Sequence, residues 1–237
     1  MTRLSVNINK IATLRNARGG NIPNVYEAAI NSQRFGAQGI TVHPRPDERH
    51  ITKQDVKNIR SIITTEFNIE GYPSEEFLQM VSEAKPHQVT MVPDPPDTLT
   101  SNQGWDALKH KEFLKKIIKQ LQQLNIRTSL FIEADNEMIK HARDTGTNRV
   151  ELYTEPYASG YSNNREQAIE PFIKAAEKAK EIGLGLNAGH DLNLDNLNYF
   201  YKNIPGLLEV SIGHAIISDA LYFGLENTIQ LYLRQLK

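Results

Sequence analysis

The stretch EVSIGHAIISDALYFGL, Glu209 to Leu225, joins a short apolar strand to a helix through a Gly-His pair. Its first four residues, Glu209–Ile212, are rich in branched aliphatic side chains, which is typical of a strand buried on both faces. The residues after Gly213-His214 have the composition of a helix start. A strand followed at once by a helix is the repeating unit of parallel α/β proteins.

The same unit recurs along the chain, and its count predicts the fold. Helical spacing of apolar residues separates the strands, as in Val25–Phe35, Phe113–Leu124 and Glu166–Ile182. Eight strands alternating with eight helices favour a closed (β/α)8 TIM barrel, a single domain over residues 1–237 with short extra elements in its loops. The seven further predicted strands are Leu4–Ile8, Gly39–Val42, Asn68–Glu70, Gln88–Val92, Thr128–Ile132, Val150–Tyr153 and Leu184–Asn187.

Three other segments complete this prediction. Ile11–Gly20 is interpreted as a loop after the first strand, Pro93–Trp105 as a long and functional loop after the fourth, and Ser218–Leu236 as the last helix. The rival fold is an open doubly wound sheet. Its common nucleotide-binding forms are disfavoured, because no G-x-G-x-x-G follows the first strand and no G-x-x-x-x-G-K-[ST] occurs.

Composition narrows the class of protein. The chain has a formal net charge of −1 and no cysteine. Near-neutral charge argues against nucleic acid as a partner, and the lack of cysteine excludes disulfides, thiolate metal sites and thiol nucleophiles. No apolar run is long enough to span a membrane, and Met1–Lys10 does not have the pattern of a signal peptide. We therefore expect a cytoplasmic protein without membrane contact.

Polar side chains gather at the carboxyl ends of the predicted strands. In a barrel these ends converge on one mouth, where enzymes of this fold have their active sites. A glutamate and several histidines supply proton donors and acceptors near neutral pH, although Glu70 alone is equally explained as a strand-end residue paired with an arginine. The residues concerned are Asn7, Asn9, Lys10, His43, Arg45, His50, Glu70, Glu151, His190 and His214.

Two Gly-His pairs indicate phosphate binding. Gly189-His190 and Gly213-His214 follow strands seven and eight, where barrels often bind phosphate on backbone N–H groups and helix N-termini. Arg18 and Arg45 are candidates for further phosphate contacts. No H-E-x-x-H or comparable spacing occurs, so no metal site is predicted.

Five stretches, spread in order from one end of the chain to the other, carry a family resemblance. They are IATLRNARG (Ile11–Gly19), GITVHPRPDERHI (Gly39–Ile51), SLFIEAD (Ser129–Asp135), LNAGH (Leu186–His190) and IGHAII (Ile212–Ile217). Together they resemble the pyridoxine 5′-phosphate synthase family. The resemblance implies a TIM barrel that condenses 3-amino-2-oxopropyl phosphate with 1-deoxy-D-xylulose 5-phosphate, giving pyridoxine 5′-phosphate, phosphate and water. It implies no metal or organic cofactor, and a homo-octamer built from dimers.

The resemblance also implies roles for individual residues. His43 and Glu70 match the family's proton acceptors, His190 its proton donor, and Glu151 a group that stabilises a transition state. The aminooxopropyl phosphate site would comprise Asn7, Arg18, Asp191, Gly213 and His214. The deoxyxylulose phosphate site would comprise Asn9, Lys10, Arg45, His50 and Thr100.

The chain departs from the family pattern at three of these positions. The usual Asn-Ile-Asp-His of strand one is replaced by Asn7-Ile8-Asn9-Lys10, and the usual glycine after His190 by Asp191. An added carboxylate near a phosphate is unfavourable unless it points away. Two alternatives remain open: a phosphosugar isomerase or aldolase on the same barrel, and a non-catalytic barrel that binds phosphorylated metabolites.

Overall fold

The computed structural model describes residues 1–94 and 103–237, and its centre is a closed barrel of eight parallel strands. Each strand pairs with its neighbour in sequence, and β1 pairs with β8 through Leu4 opposite Val210. The predicted (β/α)8 barrel is confirmed, with a strand at each predicted position. The strands are β1 Arg3–Asn7, β2 Gly39–Val42, β3 Glu66–Gly71, β4 Gln88–Met91, β5 Arg127–Ile132, β6 Arg149–Tyr153, β7 Gly185–Gly189 and β8 Leu207–Ile212.

Helices surround this barrel. Several begin at the expected caps: the Ser74 hydroxyl accepts the Phe77 N–H, and the Asp135 carboxylate accepts two N–H groups of the next turn. The helices of the described residues are α1 Asn9–Arg18, α2 Val25–Arg34, α3 Lys53–Arg60, α4 Glu75–Ala84, α5 Lys111–Gln123, α6 Asn136–Asp144, α7 Glu155–Glu181, α8 Leu197–Asn203, α9 His214–Phe223 and α10 Leu225–Gln235.

The interpretation of Ile11–Gly20 as a loop is wrong, because helix α1 occupies most of it. The helix ends where Gly19 adopts a left-handed conformation, with φ of 69°. Its buried face consists of Ala12 and Arg15, so no apolar stripe marks it in the sequence. Arg15 is buried because its guanidinium forms a bidentate ion pair with Asp55 at 2.6 and 2.9 Å.

Two further helix predictions differ from the structure. The single helix predicted over Ser218–Leu236 is two helices, because the chain turns at Gly224 with a positive φ of 74°. Helix α7 starts well before the predicted Glu166 and is kinked at Asn164, whose φ of −157° is not helical. Most of the predicted loop Pro93–Trp105 lies outside the described residues.

The barrel interior is polar, unlike the branched apolar filling common in this fold. Alternate residues of each strand face inward, and hydrogen bonds connect neighbours across the strands. Ser5 bonds Thr41 at 2.7 Å, and the Thr90 hydroxyl bonds Asn68 at 3.1 Å and Glu151 at 3.4 Å. The intervening apolar residues, such as Leu4, Val6, Ile69, Val89, Leu130 and Leu152, are fully buried and form the core against the helices.

The amino-terminal end of the barrel interior contains a cluster of charged side chains, which we call the barrel floor and define as Arg3, Glu66, Arg127, Arg149 and Glu209. Glu66 accepts from Arg3 at 2.8 Å and from Arg127. Arg149 donates to Asn187 at 3.2 Å, and Asn187 donates to Glu209 at 3.4 Å. Burial lowers the pKa of Arg127 to about 10. The floor closes the end of the barrel opposite the predicted site.

Candidate active site

Glu70 lies at the carboxyl end of β3 and is the centre of the mouth. Its Oε2 is 3.9 Å from His43 Nδ1 and 3.5 Å from Asn7 Nδ2, and its Oε1 is 3.5 Å from the Ser211 hydroxyl. Burial raises the pKa of this carboxyl to about 7, against the lowering effect of His190 and Arg45. Glu70 therefore exchanges a proton near neutral pH.

His43 follows β2 and is nearly inaccessible to solvent. Its backbone N–H donates to Asn9 Oδ1 at 2.9 Å, while the Asn9 N–H donates to Asn7 Oδ1 at 3.0 Å. Burial lowers the pKa of His43 well below its ordinary value, and the charge of Arg45 lowers it further. The imidazole is thus neutral at neutral pH, which suits a proton acceptor.

Glu151 lies deeper in the barrel, on β6. Burial raises its pKa well above the ordinary range, and the nearby carboxyls of Glu70 and Glu209 raise it further. A Cβ at position 189 would lie 2.6 Å from Glu151 Oε1, so the neighbouring strand needs Gly189 there. Glu151 therefore keeps its proton to a higher pH than an exposed glutamate, and in the protonated form it can donate a hydrogen bond toward the mouth.

His190 follows β7 with a positive φ of 82°, and Asp191 follows with a φ of 57°. The Asp191 carboxylate lies 2.6 Å from His190 Nδ1, so this added charge faces the imidazole. The edge of the Tyr153 ring packs against the same imidazole, with ring centroids 5.3 Å apart. The His190 ring is thus held between a carboxylate and an aromatic ring.

The second Gly-His pair opens helix α9, which begins at His214. A Cβ on Gly213 would lie 3.0 Å from the Cβ of Asn7, so only glycine fits without a shift. This ten-residue helix starts two residues after β8 ends, so its N-terminus lies at the mouth end of the barrel, and no side chain caps it among the described residues. His214 is exposed there.

The predicted phosphate-binding cations lie in different environments. Lys10 and Arg18 are exposed and form no ion pair within residues 1–94 and 103–237. Arg45 is buried, with Nη2 2.9 Å from Asp94 Oδ2, and its Nε has no hydrogen-bond partner in the described part of the chain. Thr100 lies outside the described residues.

His50 completes the predicted set. Its Nδ1 accepts the N–H of Ile51 at 2.9 Å, so in the neutral ring Nε2 carries the hydrogen. Partial burial lowers its pKa to about 4, assisted by the charges of Arg45 and Lys10. The ring centroid is 6.4 Å from that of His43. His50 is therefore a neutral hydrogen-bond donor beside the cations.

Sequence reasoning missed two features of the mouth. The first is Asp94, the partner of Arg45, which lies in a Pro-rich stretch that gives no signal for an ion pair. The second is a small apolar cluster of Val92, Phe131 and Tyr153, separate from the main core. Its members lie at or next to the carboxyl ends of β4, β5 and β6. In the sequence, an aromatic residue near the end of a predicted strand is the one feature that could have indicated this cluster.

The described residues contain no group of three or more His, Cys, Asp or Glu side chains suited to a metal ion. No helix formed by them is both long enough and apolar enough to cross a membrane.

Fold and site together define a class: (β/α)8-barrel enzymes with buried acids and bases at the carboxyl-terminal mouth, beside a helix N-terminus and exposed cations. Within that class, comparison with family models identifies the family of this chain. The family model described as "Pyridoxal phosphate biosynthesis protein PdxJ" matches residues 4–237, and the chain belongs to this family.

Curated relatives match over the whole chain. The pyridoxine 5′-phosphate synthase of Bacteroides thetaiotaomicron is 62% identical over 232 residues, covering 98% of both chains. That of Flavobacterium johnsoniae is 58% identical over 237 residues, covering 100% of both.

Solved structures show the same fold at low sequence identity. Phosphoribosyl anthranilate isomerase from Thermotoga maritima is 13% identical with a TM-score of 0.63, covering 100% of this chain and 98% of its own. 3-Keto-L-gulonate-6-phosphate decarboxylase from Vibrio cholerae is 11% identical with a TM-score of 0.66, covering 99% and 97%. At this identity the likeness concerns the barrel alone.

Proposed function

We propose that this chain is a pyridoxine 5′-phosphate synthase that condenses 3-amino-2-oxopropyl phosphate with 1-deoxy-D-xylulose 5-phosphate. The products are pyridoxine 5′-phosphate, inorganic phosphate and water. Joining an amine to a ketone loses water, and later steps release phosphate and close a ring. Each step moves protons, so the reaction needs several acids and bases at one place.

The observation that carries the proposal is Glu70. It is a buried carboxylate at the mouth whose hydrogen bonds are long, at 3.5 Å, and its pKa is raised to about 7. A structural carboxylate at a strand end would be paired closely with an arginine, as Glu66 is. Glu70 instead faces the imidazole of His43, and a general base with a pKa near 7 is well matched to proton transfer at neutral pH.

The other three catalytic residues take complementary roles. His43, neutral because of its lowered pKa, accepts a proton. His190, held by Asp191 at the rim, donates one to a leaving oxygen. Glu151, in the protonated form that its raised pKa favours, donates a hydrogen bond to negative charge that develops on the substrate.

Two phosphate groups require two anion sites. For aminooxopropyl phosphate we propose the N-terminus of α9 with its Gly213 and His214, joined by Asn7, Arg18 and the backbone N–H of Asp191. For deoxyxylulose phosphate we propose Asn9, Lys10, Arg45, His50 and Thr100. The unpaired Nε of buried Arg45 supports the second site, because a phosphate oxygen would satisfy it.

The test is a direct assay of purified protein with both substrates, monitoring pyridoxine 5′-phosphate and released phosphate. We expect both products in equal amounts, also after dialysis against a chelator, since no metal or cofactor is assigned. No product at high enzyme concentration would contradict the proposal.

Two controls separate the alternatives. An isomerase or aldolase would turn over a single phosphosugar without the amine, but none of the eight strands contains a lysine for a buried Schiff base. A sensing barrel would bind one substrate tightly in calorimetry without turnover.

We also propose that the protein works in the cytoplasm as a homo-octamer. Exposed apolar side chains at the end of α9 support self-association: Leu221, Tyr222 and Phe223 expose 72%, 85% and 51% of their surface. Light scattering should give the mass of eight chains, and Tyr222→Ser should lower it. A monomeric mass for the unaltered protein would contradict the proposal, and cell fractionation tests the compartment.

A further inference from the structure

The phosphate site proposed above uses only the backbone N–H of Asp191 and leaves the function of its carboxylate open. Asp191 Oδ2 lies 2.6 Å from His190 Nδ1, within the range of a charge-assisted hydrogen bond. We propose that Asp191 is a positioning residue: its side chain accepts the Nδ1–H of His190 and leaves Nε2 as the nitrogen that meets the substrate. This inference rests on the proposed role of His190 as proton donor.

The backbone that brings the two side chains together is unusual and is held from two sides. His190 and Asp191 are consecutive non-glycine residues with positive φ, a conformation that side chains rarely adopt. The Thr154 hydroxyl donates to the carbonyl of Gly189 at 2.7 Å and also to that of His190. Asn196 Nδ2 donates to the carbonyl of Asp191 at 3.2 Å. Retained strain of this kind indicates a conformation with a use.

The surroundings of the imidazole leave one ring nitrogen for chemistry. Tyr153 on β6 packs its ring against His190, and Glu70 on β3 interacts with the imidazole electrostatically. Hydrogen bonding to His190 lowers the pKa of Asp191, and the charge of His214 on α9 lowers it too, so the carboxylate is ionised at neutral pH. With its Nδ1–H bound to Asp191, the neutral ring has a free acceptor at Nε2. A proton that Nε2 receives can then be passed to the leaving oxygen, and the Asp191 carboxylate compensates the positive charge that the ring carries in between.

The position also explains how a carboxylate is tolerated beside a phosphate site. The Asp191 side chain is directed at its own neighbour rather than at the start of α9, while its backbone N–H remains available. Glycine at this position would keep the N–H and adopt the positive φ without strain, but would leave Nδ1 of His190 without this acceptor.

The experiment compares Asp191→Gly, Asp191→Asn and a matched control, Asp195→Asn. Asp195 is an exposed acid of the same loop, four residues on, and makes no side-chain contact with His190 in the described structure. We expect Asp191→Gly to lower kcat roughly 10- to 100-fold, as loss of orientation does, with both KM values changed less than about twofold. Asp191→Asn should recover most of kcat, because an amide oxygen still accepts the Nδ1–H. The control should match the unaltered enzyme.

Solid-state NMR of 15N-histidine-labelled protein supplies a readout independent of turnover, with the His190 signal assigned by its loss in His190→Gln. The unaltered protein and Asp191→Asn should show hydrogen on Nδ1, and Asp191→Gly should show it moved toward Nε2. An unchanged tautomer and kcat in Asp191→Gly would overturn the proposal. So would a rise in the KM for aminooxopropyl phosphate at constant kcat, since it would place the carboxylate on the substrate. If the unaltered protein lacks synthase activity, the proposed function fails while the NMR result still decides the contact.

Discussion

The two ends of this barrel treat buried charge in opposite ways. At the floor, Glu66 forms ion pairs with two arginines, Arg3 and Arg127. At the mouth, Glu70 has no arginine within ion-pair distance among the described residues, and the imidazole that lies 3.9 Å away, that of His43, is neutral at neutral pH. The side chains of Glu66 and Glu70 are both largely buried. The two carboxylates therefore differ in their charged partners rather than in their exposure to solvent.

That difference separates charge that supports the fold from charge that supports chemistry. A carboxylate next to a guanidinium keeps its charge, and removing either partner leaves an uncompensated ion. A buried carboxylate without such a partner has a raised pKa, as Glu70 and Glu151 have. Such a group can exchange its proton with a substrate that binds beside it. The same residue type therefore serves two purposes within one barrel.

Glu70→Gln tests whether the carboxylate at the mouth serves the chemistry, and we expect it to have the largest effect. Glutamine preserves the shape but cannot accept a proton, so we expect kcat to fall about 10²- to 10⁴-fold. Circular dichroism should show an unchanged fold. The measurement is product formation under saturating amounts of both substrates, and near-normal turnover would refute the assignment of Glu70 as a base.

Glu66→Gln tests whether the carboxylate at the barrel floor serves the fold. It makes the same chemical change four residues earlier on the same strand. Here Arg3 and Arg127 lose a charged partner but stay partly exposed, and we expect the free energy of unfolding to fall by about 1 to 3 kcal/mol. Below its melting temperature the variant should keep kcat within about threefold of normal. Urea unfolding and the synthase assay measure the two effects. A large loss of kcat in folded Glu66→Gln would mean that the floor takes part in the chemistry.

The pH dependence of stability gives a third test. The pKa of Glu70 is about 7 in the folded protein, against an ordinary value of 4.5 for a glutamate side chain. Because the folded value is raised, this group's contribution is fully present below pH 4.5 and is lost as the pH rises to 7. The loss is about 3 kcal/mol, at 1.36 kcal/mol per pH unit.

Glu70→Gln removes this titration. The free energy of unfolding of the variant, relative to that of the unaltered protein, should therefore increase as the pH rises from 5 to 8, as measured by urea unfolding. A stability difference that is the same at both pH values would show that Glu70 does not titrate in this window.

Sequence reasoning found the features that depend on short-range pattern. The eight strands and the polar residues at their ends are local signals, and the glycines at 189 and 213 mark close approaches that the structure shows. Residues 66–71 alternate between polar and apolar types, whereas a strand buried on both faces is predicted to be apolar throughout. In this barrel only the face toward the helices is apolar.

The features that were missed depend on pairs distant in sequence. Helix α1 is stabilised by Arg15 reaching Asp55, which no periodicity of apolar residues reveals. The Arg45–Asp94 pair joins the loops after β2 and β4, and the direction of the Asp191 side chain follows from two positive φ angles. Each of these requires the three-dimensional fold, since the residue types alone allow many partners.

The smallest expected effect concerns the exposed cations of the mouth, which unlike the floor arginines form no ion pair within the described residues. Lys10 is assigned to deoxyxylulose phosphate and Arg18 to aminooxopropyl phosphate. Lys10→Ala should therefore raise the KM for the first substrate about twofold to fivefold and that for the second less, and Arg18→Ala should show the reverse. An exposed charge contact of up to about 1 kcal/mol corresponds to such factors. Equal effects on both substrates in Lys10→Ala would mean that Lys10 does not take the place of the family's usual histidine.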